Sequence, residues 1–199
     1  MKKKIAITGG IGSGKSTAID FFRKKGYPVF SCDEIYKEII IRKPFIEKIR
    51  EIFPSAVQND KIDKIELGKI VFFDERARNQ LNALSHALIM SKLNDKMSEV
   101  NAQYVFAEVP LLFEGEYQKE FDMVIVVMRE EEERIAAIQQ RDHIQIEQIK
   151  SRMAVQFDYD KLKDNPSLFG DNVYLVLNKG EIEVFENKLE EMFQKILST

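Results

Sequence analysis

Near the start of the chain, Gly9-Gly10-Ile11-Gly12-Ser13-Gly14-Lys15-Ser16-Thr17 brings together residue types that bind phosphate, at the spacing phosphate binding needs. The stretch fills the pattern G-x-x-x-x-G-K-[ST], with Gly9, Gly14, Lys15 and Ser16 at the fixed positions. Glycines let a loop visit positive φ and let phosphate oxygens approach the backbone closely. Successive N–H groups then face inward, with the positive end of a helix dipole behind them. Lys15 supplies a mobile positive charge for the β- and γ-phosphates, and the Ser16 hydroxyl suits Mg²⁺. The bland alternative is a glycine-rich turn that binds nothing.

Such a loop needs a strand before it and a helix after it. Lys4-Ile5-Ala6-Ile7-Thr8 is a β-type run, and Ser16 to Lys25 places Ile19 and Phe22 at helical spacing. Further strands are expected at Tyr27–Ser31, Tyr104–Pro110, Phe121–Met128 and Val173–Leu177. Five β-type runs separated by helices predict a doubly wound five-stranded parallel sheet of α/β class, since parallel strands need crossovers. The intervening stretch from about Asp33 to Asn101 reads as all helical. Pro44 opens one helix on Ile46, Ile49, Ile52 and Phe53, and short helices follow between Asp60 and Phe73. Asp74 caps a long helix through Ala77, Leu81, Leu84, Leu88, Leu93, Met97 and Val100. Glu130 to Gln156 reads as two exposed helices broken near Asp142-His143. Glu181 to Leu197 closes the chain on Val184, Phe185, Leu189, Phe193, Ile196 and Leu197. The expected layout is one domain: a core of 1–33, 102–128 and 171–199, an inserted helical lobe at 34–101, and a lid at 129–160.

Ligands of open α/β sheets gather at the carboxyl ends of the strands, and that rule selects the remaining polar residues. Asp33 follows the second strand. It activates a hydroxyl that attacks phosphate, holds a metal's water shell, or simply caps a helix. Glu108 ends the third strand, as an outer metal carboxylate or a solvated strand-end residue. Arg129, after the fourth strand, reads as surface charge. Asn178, after the fifth, belongs to a turn and has an amide that can reach a base. Arg134, Arg141 and Arg152 in the helical pair suit a lid that surrounds a transferring phosphoryl group and excludes water. They also suit pairing with Glu130-Glu131-Glu132-Glu133.

With 199 residues, 44% hydrophobic and 32% charged, the composition is that of a soluble globular enzyme. A net charge of −3 argues against nucleic acid or an anionic membrane as the main partner. Cys32 is the sole cysteine, so no internal disulfide forms, as in a reducing cytoplasm. The basic Met1-Lys2-Lys3-Lys4 start is followed by an apolar run that stops at Gly9, too short for a signal peptide. Met123–Met128 is too short to span a bilayer.

Several blocks beyond the loop make a more specific pattern. They are Ile70-Val71-Phe72, Leu81 to Ile89 around His86, Val109-Pro110-Leu111-Leu112-Phe113-Glu114, Gln140-Arg141-Asp142, Arg152, Gln156, and Asn178-Lys179-Gly180. With these the chain resembles, along nearly its whole length, the dephospho-CoA kinase family of coenzyme A synthesis. The resemblance implies transfer of the ATP γ-phosphate to the ribose 3′-hydroxyl of dephospho-CoA. It implies Asp33 as the base or hydroxyl-orienting residue, Lys15 and Arg141 as a γ-phosphate clamp, and Ser16 as the Mg²⁺ ligand. Gly10, Ile11, Gly12, Ser13, Gly14, Lys15, Ser16, Thr17, Arg141 and Asn178 would bind the nucleotide. Asp33, His86, Glu108 and Leu111 would face the acceptor. A cytoplasmic monomer or weak homo-oligomer is expected.

Three positions depart from the family's pattern: Ala87 stands in place of a usual Pro, Ser31 in place of a first aspartate, and Ala137 in place of a frequent lid arginine. A nucleoside or shikimate kinase remains the nearest alternative. A GTPase is disfavoured, because Asn178-Lys179-Gly180-Glu181 only approaches N-K-x-D. A nucleotide-binding module without catalysis is disfavoured by Lys15, Asp33 and Arg141.

Overall fold

The computed structural model describes residues 1–165 and 170–197. In chain order the elements are β1 (Lys3–Thr8), α1 (Lys15–Lys24), β2 (Val29–Ser31), α2 (Cys32–Ile39), α3 (Lys43–Ile52), β3 (Val57–Gln58), β4 (Lys61–Ile62), α4 (Lys64–Phe73) and α5 (Glu75–Glu99). They continue as β5 (Tyr104–Glu108), β6 (Met123–Met128), α6 (Glu131–Asp142), α7 (Ile146–Ala154), α8 (Lys161–Asp164), β7 (Val173–Leu177) and α9 (Ile182–Leu197). They form two compact units, one of Met1–Val29 with the chain from Val100 onward, the other of Phe30–Glu99.

The five-stranded sheet runs β2-β5-β1-β6-β7. β1 lies parallel to β5 and β6, and β6 parallel to β7. Strands covered on both faces read as unbroken apolar runs, and all six residues of β6 are buried. Register brings the carboxyl ends level: Ile7 stands beside Glu108 on one side and Ile125 on the other, and Thr8 beside Val126. The phosphate loop therefore leaves β1 between the ends of β5 and β6.

α1 and α9 cover this sheet with rings. Phe22 stacks on Phe106 at 4.0 Å between centroids and meets Phe193 edge-on at 5.3 Å. On α9 the buried stripe is Phe185, Leu189, Met192, Phe193 and Ile196. Val184 and Leu197, expected in that stripe, are 46% and 38% exposed. They sit at its flanks, where a 3.6-residue period turns a side chain away from the sheet.

The second unit has its own core of Ile40, Phe45, Ile49, Phe53, Ala56, Leu67 and Ala77. Phe45 takes the inward place in α3 and Ile52 is exposed, the reverse of the sequence reading for Ile52. The segment is also not all helical, because β3 and β4 form a small antiparallel hairpin. Its turn is Asn59-Asp60, with φ of 48° and 57°. Consecutive positive φ values at such residues close a two-residue hairpin, and two-residue strands are too short to show period-two patterning. A single helix, α4, replaces the short helices expected up to Phe73. Asp63 Oδ1 caps it, accepting from Ile65 N at 2.9 Å and Glu66 N at 3.0 Å. Asp74 caps α5 as expected, accepting from Arg76 N at 2.8 Å and Ala77 N at 3.1 Å. With Ala87 rather than proline, α5 runs unbroken for 25 residues through His86.

Among the described residues no helix is long and apolar enough to cross a membrane. Phe22→Ala empties the position where the rings of α1, β5 and α9 meet. It is expected to lower unfolding free energy in urea by about 3–5 kcal/mol. A loss under about 1 kcal/mol would show that this ring cluster does not hold the sheet's helices in place.

Candidate active site

The loop after β1 is built from backbone, with few of its own side chains bonded to it. Thr8 and Ser13 are buried. Gly14 ends the loop at φ 100°, where a Cβ would also run into the Asn178 side chain. Asn178 follows β7 and donates from Nδ2 to Ser13 O at 2.8 Å. Its amide thus holds the loop in this structure rather than standing open for a base. A Cβ on Gly10 would meet the Arg134 guanidinium, which would have to move aside. At the loop's start, Thr8 Oγ1 and the buried Tyr159 hydroxyl are 3.2 Å apart, and burial pushes the phenol's pKa up to about 12.

Beside the start of α1 lies a cavity of about 250 Å³, lined by Gly12, Gly14, Lys15, Ser16, Thr17, Glu108, Arg129, Ala137, Ile138 and Arg141. The structure thus brings together much of the set selected from sequence: loop glycines, Lys15, Ser16, Thr17, Glu108 and Arg141. Lys15, Arg129 and Arg141 set positive charges against the carboxylate of Glu108. A cavity with this excess of cations favours a polyanion.

Arg129 differs from its reading as surface charge. Only 27% of its side chain is exposed, and its Nε lies 3.5 Å from Glu133 Oε2 without forming a hydrogen bond. It directly follows β6, so the strand-end rule that selected Glu108 applies equally to it. The run of glutamates that follows made it look like a solvated ion-pair partner.

Lys15 curls back on the loop, with Nζ donating to Gly9 O at 2.7 Å and Gly10 O at 3.1 Å. Arg141 is held by its neighbour, with Nε to Asp142 Oδ1 at 2.6 Å and Nη2 to Asp142 Oδ2 at 2.8 Å. That bond holds the Asp142 carboxyl below its usual pKa. Leu111 is 37% exposed in the turn after β5 and does not line the cavity.

Asp33 and His86 lie in the second unit. Asp33 is the second residue of α2 and is exposed, while Ser31 takes the N-cap position and makes no side-chain cap bond. The Asp33 carboxylate has no hydrogen bond or ion pair among the described residues. The capping role weighed from sequence is therefore not the one it plays. His86 is half-buried on α5.

A model of the dephospho-CoA kinase family matches residues 3–173. The dephospho-CoA kinase of Lactobacillus acidophilus is 33% identical over 198 residues, 96% of each chain. That of Thermus thermophilus is 29% identical over 192 residues, 96% of this chain and 91% of the relative. A solved Thermus thermophilus structure superposes with a TM-score of 0.82 at 28% identity, over 99% of this chain and 97% of that one. Shikimate kinase from Acinetobacter baumannii shares the fold, with a TM-score of 0.52 at 15% identity over 100% of this chain and 94% of its own.

The Asn178 bond separates bracing from base reading. Asn178→Ala removes one neutral hydrogen bond and is expected to weaken ATP and GTP binding by the same factor, about three- to tenfold. Calorimetric titration checks this. A change in the ratio of the two affinities would show that Asn178 reads the base.

Proposed function

The chain belongs to the dephospho-CoA kinase family, phosphorylating dephospho-CoA to coenzyme A with ATP, and we propose how its own residues share that work. The observation that carries the proposal is the single cavity gathering Lys15, Ser16, Glu108, Arg129 and Arg141 at the end of the phosphate loop.

The loop N–H groups and the N-terminus of α1 bind the ATP phosphates. Lys15 leaves the carbonyls of Gly9 and Gly10 for the β- and γ-phosphates. Arg141 exchanges the Asp142 carboxylate for phosphate oxygens of the same planar geometry. Arg129 adds charge from the end of β6. The ribose 3′-hydroxyl oxygen of dephospho-CoA bonds to the γ-phosphorus while the bridging P–O bond breaks, and ADP leaves with the electron pair. The hydroxyl proton passes to Asp33, whose carboxylate carries no competing partner among the described residues. His86, Glu108 and Leu111 are assigned to the acceptor side on the family resemblance, and the α6–α7 pair to the lid that excludes water.

The Ser16 hydroxyl and Glu108 carboxylate are hard oxygen donors lining the cavity that holds Lys15, and they fit Mg²⁺. Among the described residues no group of His, Cys, Asp and Glu is sufficient to hold a metal alone, so phosphate and water would supply the remaining oxygens. When bound, such a cation neutralises phosphate charge. We further propose that the enzyme acts in the cytoplasm, as a monomer or weak homo-oligomer, without nucleic acid.

The test compares ADP release with dephospho-CoA, nucleosides and shikimate as acceptors. Dephospho-CoA is expected to exceed the others by at least about a hundredfold in kcat/KM. Comparable rates with shikimate or a nucleoside would overturn the acceptor assignment. Asp33→Asn is expected to keep its melting temperature and ATP affinity while losing at least about a hundredfold in kcat. Turnover within about threefold of the parent would remove Asp33 from the chemistry.

A further inference from the structure

Ile11 sits at the crown of the phosphate loop, and both of its peptide polar groups are held by distant side chains, one from α6 and one from the segment after α7. Its N–H donates to Gln156 Oε1 at 2.8 Å, and its C=O accepts from Arg134 Nε at 2.9 Å. The loop's own backbone contributes the turn bond from Ser13 N–H to Gly10 O at 3.2 Å. α6 lies close against this crown. A Cβ on Gly12 would meet Arg134 O at 2.7 Å and Ile138 Cδ1 at 3.0 Å, and one on Gly10 would strike the Arg134 guanidinium. Arg134 is half-buried, and that burial lowers its pKa.

Gln156 is itself fixed. The next residue, Phe157, donates its N–H to Glu114 Oε1 at 2.8 Å, and its ring packs between Phe113 at 4.8 Å and Tyr159 at 5.1 Å. Tyr159 in turn bonds Thr8 at the end of β1. The segment after α7 is therefore anchored to the turn after β5 and to the end of β1, and the glutamine amide projects from that support.

Peptide groups are planar, so holding both the N–H and the C=O of one residue orients the peptides on either side of it. We propose that Gln156 and Arg134 are positioning residues for the nucleotide. By gripping Ile11 they fix the Ile11–Gly12 peptide and so aim the Gly12 N–H toward the phosphates. The loop's geometry is then set from α6 and the segment after α7 as well as from β1 and α1. This rests on the reading of the loop as the phosphate site. A neutral amide is the suitable acceptor, since a carboxylate would take the same N–H but repel a triphosphate.

The test reads the Ile11 amide by NMR hydrogen exchange in the nucleotide-free enzyme, together with steady-state kinetics. Gln156→Ala is expected to speed Ile11 exchange about tenfold and leave the Ile7 amide in β1 unchanged. The KM for ATP should rise about tenfold, with the KM for dephospho-CoA within about twofold. Gln156→Glu should keep the parental Ile11 exchange while raising the KM for ATP through charge. Arg134→Lys, which keeps the charge but loses the Nε donor, should raise the KM for ATP as Gln156→Ala does, and it serves if the first variant does not fold. Parental Ile11 exchange in Gln156→Ala would overturn the proposal, as would faster exchange with an unchanged KM for ATP. Because the exchange needs no nucleotide, failure of the phosphate-site reading would leave Ile11 protection intact and be seen separately.

Discussion

A phosphate loop has to keep several peptide N–H groups turned toward one point although their dipoles repel. Its glycines, needed for conformation and close packing, give it little stiffness of its own. Here the stiffness comes from outside. Asn178 holds Ser13, Gln156 and Arg134 hold Ile11, and Tyr159 holds Thr8. The strand ends, the helical pair and the segment behind it are organised around that requirement. The parallel register of β1, β5, β6 and β7 makes it achievable by bringing their carboxyl ends to one level.

The same economy governs charge. Each cation of the cavity has an internal interaction: Lys15 with the Gly9 and Gly10 carbonyls, Arg129 near Glu133, and Arg141 with Asp142. These partners are carbonyls or partly exposed carboxylates, so the interactions are modest and a triphosphate can displace them. On the proposed reading, each cation trades one oxygen partner for another and is not left bare.

Most of the fold was legible because its signals are local. Apolar runs marked the strands, Asp74 marked the start of α5, and the break at His143, with φ 54°, separates α6 from α7 where the charge pattern lapses. The β3–β4 hairpin escaped because four strand residues carry too little pattern. Ile52, Val184 and Leu197 were misplaced because helical spacing gives a stripe's direction and not its edges. At the site, the residues proposed to bind phosphate were legible from the loop motif and the strand-end rule. The residues that hold the loop were not. Gln156 and Arg134 reach Ile11 across 145 and 123 positions, and nothing near either residue announces such a pairing.

The most direct measurement follows the γ-phosphate itself. ATP labelled at that position is incubated with Mg²⁺, dephospho-CoA and either the parent enzyme or Lys15→Ala. The expected result is one labelled phosphate on the ribose 3′-oxygen with the parent and at least about a hundredfold less with the variant, while both give the same melting curve. Equal transfer by a normally folded Lys15→Ala, or label appearing as free phosphate and not on dephospho-CoA, would contradict the assignment of this loop and its chemistry.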